Sequence, residues 1–114
     1  MYIVLGATHP HVQRHEGENY RLGLELRTQK LGIEKSVIFY DRFVTIEELV
    51  RFIGAADLYV TPYLNPAQIV SGTLAYSVGA GKAVISTPYW YAEELLAEGR
   101  GRIVPFRNSD AISE

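Results

Sequence analysis

Short apolar runs alternate with longer amphipathic stretches along almost the whole chain, and that alternation predicts the fold. Tyr2-Ile3-Val4-Leu5-Gly6 is a β-type run at the very start. Glu18 to Leu31 mixes Tyr20, Leu22, Leu24, Leu26 and Leu31 with charges and stops at Gly32, which predicts a helix. Val37-Ile38-Phe39-Tyr40 is a second buried-strand candidate. Thr45-Ile46-Glu47-Glu48 matches a capping box, and Leu49, Val50, Phe52 and Ile53 give the following helix its apolar face. Leu58-Tyr59-Val60-Thr61 is a third strand, halted by Pro62.

The stretch from Asn65 to Glu94 organises the remainder. A polar loop runs into Ser71-Gly72-Thr73, a helix start, and Leu74, Ala75, Val78 and Ala80 read as a short, closely packed helix that Gly79 and Gly81 end. Ala83-Val84-Ile85 is a fourth strand, and Pro88 is expected to begin a helix carrying Glu93 and Glu94. Arg102-Ile103-Val104 makes a fifth strand before Pro105, and Ser109 is expected to cap a last helical turn. Strands alternating with helices predict an α/β fold: a three-layer, doubly wound, Rossmann-like domain with about five parallel strands. A single domain over 1–114 is expected from the length.

Composition narrows the function classes. Eleven Lys and Arg against thirteen Asp and Glu give a net charge of −2, with no basic block, which argues against a nucleic-acid surface. No apolar run reaches the length of a membrane span and no signal-peptide layout opens the chain, so a cytoplasmic protein is expected. The absence of cysteine removes disulfides and thiolate chemistry.

Six motifs bear on chemistry. His9, His11 and His15 have a spacing that could hold a metal, but Pro10 lies among them and no Asp or Cys accompanies them, so a polar loop is the simpler reading. Gly79-Ala80-Gly81 fails as a dinucleotide fingerprint, because Val84 holds the third glycine's place and the glycines precede a strand. Gly81-Lys82 is followed by Ala83, so the Ser or Thr of a P-loop is missing. Ser71-Gly72-Thr73 is the better site: a helix N-terminus favours an anion, and glycine lets a phosphate reach the backbone. Tyr89-Trp90-Tyr91 could line a pocket or lie as a lid over the core, and adjacent Glu93 and Glu94 face different ways on a helix.

Five segments in order resemble the C-terminal, donor-binding half of the family-4 retaining glycosyltransferases, which have the GT-B fold. They are YIVLG, KLGIEKSVIFYDRF, EELVRFIGAADLYVTPY, SVGAGKAVISTPYWYAEELL and GRGRIVPF. The resemblance implies a nucleotide-sugar-binding domain that takes part in sugar transfer with retention and without a metal. The family's two signature glutamates fall on Gln68 and Tyr76, which would meet the donor sugar and the ribose; Gln68 brings hydrogen bonds but no charge. Phosphate contacts would come from Ser71, Gly72 and Thr73, and Arg42, Phe43 and Val44 would border the base. Glu93 matches the family's later glutamate. The family's diphosphate-binding Arg and Lys, its acceptor domain and the central first strand of the 3-2-1-4-5-6 order would all precede Met1. The chain alone is therefore expected to bind a nucleoside diphosphate but not to turn over, and to self-associate through the sheet edges that the absent strand leaves open. A non-enzymatic flavodoxin-like binding domain, or a fragment with no function of its own, are the alternatives.

Overall fold

A computed structural model describes residues 1–6, 19–67 and 72–114. The chain forms two compact units, Met1–Thr45 and Ile46–Glu114. In both, helices alternate with parallel strands, the α/β, Rossmann-like order of elements that the apolar runs predict.

In the first unit β1 (Tyr2–Leu5) and β2 (Val37–Tyr40) pair in parallel, Tyr2 against Val37 through Leu5 against Tyr40. A donated bond from the Gly6 N–H to the Tyr40 carbonyl, 3.0 Å, extends the ladder by one step. Parallel neighbours need a crossover, and α1 (Asn19–Lys30) lies within it. Gly32 ends that helix at φ +69, a conformation glycine adopts without strain. The Gly32 N–H then donates to Gln29 O and the Ile33 N–H to Thr28 O, both at 3.0 Å, which satisfies carbonyls of the last turn. A 3-10 turn (Glu34–Ser36) leads into β2. Arg21 pairs with Glu25 at 2.7 Å and with Asp41 at 3.2 Å, tying α1 to the residue after β2. None of the described residues of this unit is buried.

The second unit holds the core. Its elements are α2 (Ile46–Ala55), β3 (Leu58–Thr61), α3 (Gly72–Gly79), β4 (Ala83–Ser86), α4 (Trp90–Leu95), a 3-10 turn (Ala97–Gly99), β5 (Arg102–Ile103) and α5 (Ser109–Ser113). The strands run β3-β4-β5, all parallel, with Leu58 opposite Ala83 and Ile85 opposite Arg102. Leu74 of α3, Val84 of β4, and Tyr89, Ala92 and Leu96 around α4 form the buried cluster, with Tyr59, Val78 and Phe106 packed against it. Each large apolar side chain buried there contributes about 1.5–3 kcal/mol. Gly81 closes α3 at φ +73, as Gly32 closes α1: its N–H donates to Val78 O and that of Lys82 to Ser77 O.

Some local expectations move. The second helix of the Asn65–Glu94 stretch begins at Trp90 rather than Pro88, because Tyr89 stays extended (φ −75, ψ 153) while its ring enters the core. Asn108, not Ser109, caps α5, its side-chain oxygen accepting from the Ala111 N–H at 2.9 Å. Val104 is buried just beyond β5 instead of inside it. On α3 the buried positions are Leu74 and Ser77, whereas Ala75 and Ala80 are exposed.

The ladder divides between β1–β2 and β3–β4–β5.

Candidate functional site

The carboxyl ends of β3 and β4 gather a set of hydroxyl groups. Strand geometry turns alternate side chains to opposite faces, so Tyr59 and Thr61 of β3 share a face. Tyr59 Oη lies 2.6 Å from Thr73 Oγ1 in the first turn of α3, and Thr61 Oγ1 lies 2.9 Å from Tyr89 Oη. Thr61 and Tyr89 are both buried, and so are Ser86 and Thr87 at the end of β4. The Thr87 hydroxyl donates to the Tyr63 carbonyl at 2.5 Å, and the Ser86 hydroxyl to the Thr87 carbonyl at 2.8 Å. Among the described residues no buried side-chain nitrogen or oxygen lacks a partner. The network is satisfied, which is what lets hydroxyls be buried at all.

The loop after β3 is pinned to this network. Asn65 Oδ1 accepts from the Ala67 N–H at 3.0 Å, an Asx turn, and the Trp90 N–H donates to Pro66 O at 2.9 Å. The Tyr63 ring meets the Tyr89 ring edge-on, centroids 5.4 Å apart and planes at 69°. Tyr89-Trp90-Tyr91 therefore does not act as one surface: Tyr89 is fully buried, Tyr91 half-buried and Trp90 exposed.

Burial pushes the Tyr59 hydroxyl above its ordinary value near 10.0. The neighbouring Tyr63 and Tyr89 add to that rise, while the hydrogen bonds to Thr73 and Thr61 oppose it. At neutral pH the phenol stays protonated and can donate. Tyr59, Thr61, Tyr63, Ser86, Thr87 and Tyr89 are all uncharged, so this group suits orientation and hydrogen bonding rather than proton transfer at pH 7.

Of the residues expected to contact a ligand, Gly72 and Thr73 open α3 beside this network. A Cβ built on Gly72 would meet no atom of the described residues within 4 Å. Tyr76 is four residues from Gly72 on the same helix and is 44% exposed, which places it on the accessible side. Glu93 and Glu94 are exposed on α4. Arg42, Phe43 and Val44 follow β2 in the first unit, with Phe43 prominently exposed. Gln68, Ser71 and the three histidines lie outside the described residues. Among the described residues no group of His, Cys, Asp and Glu could hold a metal ion, and no helix is long and apolar enough to cross a membrane.

Tyr59, Thr61, Tyr63 and Thr87 are absent from the sequence-based site. The signal for the first two was present: polar-tipped residues at alternate positions of an apolar strand, ending at a proline, mark the carboxyl edge where α/β ligands bind.

No family model matches the sequence, and comparison with curated proteins gives no match. Among solved structures, the CMP N-glycosidase BcmB of Clostridium botulinum is similar over 98% of this chain and 94% of its own, at 14% identity and a TM-score of 0.45. A likeness of that degree carries no argument about what this chain does.

Proposed function

We propose that the chain is the nucleotide-sugar-binding half of a retaining glycosyltransferase of family-4 type. One observation carries most of the weight. The first turn of α3 is held by the Tyr59–Thr73 hydrogen bond beside the carboxyl ends of two parallel strands, where α/β sheets receive ligands. A helix N-terminus bears roughly half a positive charge, and no described residue lies within 4 Å of a Cβ built on Gly72, which suits a phosphate approaching the backbone.

In this reading Ser71, Gly72 and Thr73 hold the diphosphate. Tyr76, on the accessible side of α3, meets the ribose and Gln68 the sugar. Glu93 keeps the place of the family's later glutamate. The donor is held without a metal, and the acceptor is presented by a separate domain. This chain supplies binding and orientation; transfer needs the acceptor's position and the neutralisation of diphosphate charge that other segments bring.

The test is a titration with UDP, GDP and ADP followed by amide chemical shifts. Dissociation constants of roughly 1 mM, about −4 kcal/mol, are expected, with the largest shifts at Gly72, Thr73 and Tyr76. No saturable shift at α3 with any of the three would sink the reading.

A further inference from the structure

We propose that Arg107 is the cation that meets the diphosphate at the carboxyl edge of the second unit's sheet, an inference that rests on the nucleotide reading given above. Charge is unevenly distributed about that sheet. Asp57 precedes β3, Lys82 precedes β4, and Glu98 and Arg100 precede β5, which puts them at the amino edge. The segments that leave the carboxyl edge are nearly neutral in sequence. Residues 62–71 between β3 and α3, and 87–89 between β4 and α4, contain no charge, and 104–108 between β5 and α5 contains Arg107 alone.

The backbone of Arg107 sets it apart as well. It adopts φ +54, in the left-handed region where a Cβ crowds the following carbonyl oxygen and glycine fits without cost. Gly32, Gly81 and Gly99 hold such positions elsewhere, at φ +69, +73 and +79. Glu98 is the other described residue with a side chain there, at φ +61, and its carboxylate pairs locally with Arg100 at 3.2 Å. Lys82 is likewise committed, donating to Gly54 O at 2.9 Å. Arg107 has no such local use: no carboxylate among the described residues lies within ion-pairing distance of it, Asp110 three positions on included. A strained position that keeps an arginine where glycine would fit better points to a ligand.

The chemistry fits a phosphate. In the order β3-β4-β5 the outer strands are two spacings apart, so their carboxyl ends stand roughly 10 Å from each other. An extended arginine leaving β5 and a diphosphate seated at the first turn of α3 span that gap between them. The guanidinium fork donates two parallel N–H bonds to phosphate oxygens and stays charged at neutral pH. The hydroxyls around Tyr59 and Thr61 are neutral, so Arg107 supplies the charge that they cannot. One guanidinium offsets part of a diphosphate's charge, and the remainder falls to other segments.

Titrations of the whole chain and of Arg107→Gly with UDP and with uridine, followed by backbone amide and arginine Nε–H shifts, test this. In the wild type UDP should move the Arg107 Nε–H signal, and uridine should not. Arg107→Gly should weaken UDP binding by about tenfold and leave the shifts induced by uridine unchanged. Its thermal midpoint should not fall, because glycine suits φ +54, so a loss of binding is not a loss of fold. Arg107→Lys keeps the charge without the fork and should fall between the two. If UDP perturbs α3 and Arg107→Gly binds it as tightly as the wild type, the assignment of Arg107 is overturned while the nucleotide reading stands. If UDP gives no saturable shift in the wild type, both fall. An Arg107 Nε–H signal unmoved by saturating UDP also overturns the assignment, on the unmodified chain and whatever the variants do.

Discussion

The phenol of Tyr59 lies 2.6 Å from the hydroxyl of Thr73, joining the middle of β3 to the first turn of α3. Neither residue is next to the other in sequence, and the bond fixes where α3 begins relative to the strand ends. A satisfied hydroxyl pair of this kind adds about 1 kcal/mol, so Tyr59→Phe and Thr73→Val should each lower unfolding stability by about 0.5–1.5 kcal/mol. Because both remove the same bond, the double variant should cost less than the two singles together. Additive losses in urea denaturation would show that the bond contributes nothing to holding α3.

The same phenol makes a pH prediction. Its folded pKa is raised, chiefly by burial, above the unfolded value near 10.0. Below that pH both states keep the proton and Tyr59 gives no pH dependence. As pH rises past it, the unfolded chain loses its proton first, so stability falls until the folded group also titrates. Urea midpoints measured at about pH 8 and about pH 11 should therefore drop less in Tyr59→Phe than in the wild type. An equal drop in both would mean that burial does not perturb this group.

Thr61 and Tyr89 share a buried hydrogen bond at 2.9 Å, and Tyr89 is wholly inaccessible. Tyr89→Phe keeps the ring and removes this one bond while the Thr61 hydroxyl keeps its interaction with Tyr59, at a cost of about 0.5–1.5 kcal/mol. Tyr89→Ala also opens a cavity beneath Leu74 and Val84, and should cost about 3–5 kcal/mol. Chemical denaturation that ranks the two equally would show that the ring packing matters little.

Gly101 is required for space rather than for conformation. A Cβ there would meet Leu96 Cδ2 at 2.8 Å and the Val84 carbonyl at 3.2 Å. Leu96 is itself in the buried cluster and the carbonyl belongs to β4, so neither can yield freely. Gly101→Ala should cost about 1–3 kcal/mol, seen as a lower thermal midpoint. A midpoint unchanged within error would mean that Leu96 has a second rotamer available.

The order of elements was legible in the sequence because its signals are local. Val37–Tyr40 and Leu58–Thr61 coincide with their apolar runs, and Gly32 and Gly81 stop their helices by the capping that glycine makes inexpensive. The misplaced details are tertiary in origin. Pro88 is a sound helix starter by itself, but the burial of the Tyr89 ring delays the helix to Trp90. The hydroxyl network is not legible in the sequence for a similar reason: Tyr59 meets Thr73 across fourteen residues and Thr61 meets Tyr89 across twenty-eight, separations that no periodicity reports. Gly72 and Thr73 could be singled out beforehand because a small-residue helix start is itself a sequence signal.

Gly72 separates binding from folding more cleanly than any other described position in α3. It has no positive φ to relieve, and a Cβ added there would meet nothing among the described residues within 4 Å. Valine is a slightly better helix former than glycine, so Gly72→Val should leave unfolding stability within about 0.5 kcal/mol of the wild type. If the diphosphate of a nucleotide sits against this backbone, the isopropyl group occupies the space through which it approaches, and the dipole of α3 no longer reaches it at hydrogen-bonding distance. The amide shifts induced by UDP at Thr73 and Tyr76 should then disappear, with the thermal midpoint intact. Thr73→Ser, which keeps a hydroxyl to meet Tyr59, should retain them. Should Gly72→Val bind as the wild type does, the phosphate site lies elsewhere than the start of α3.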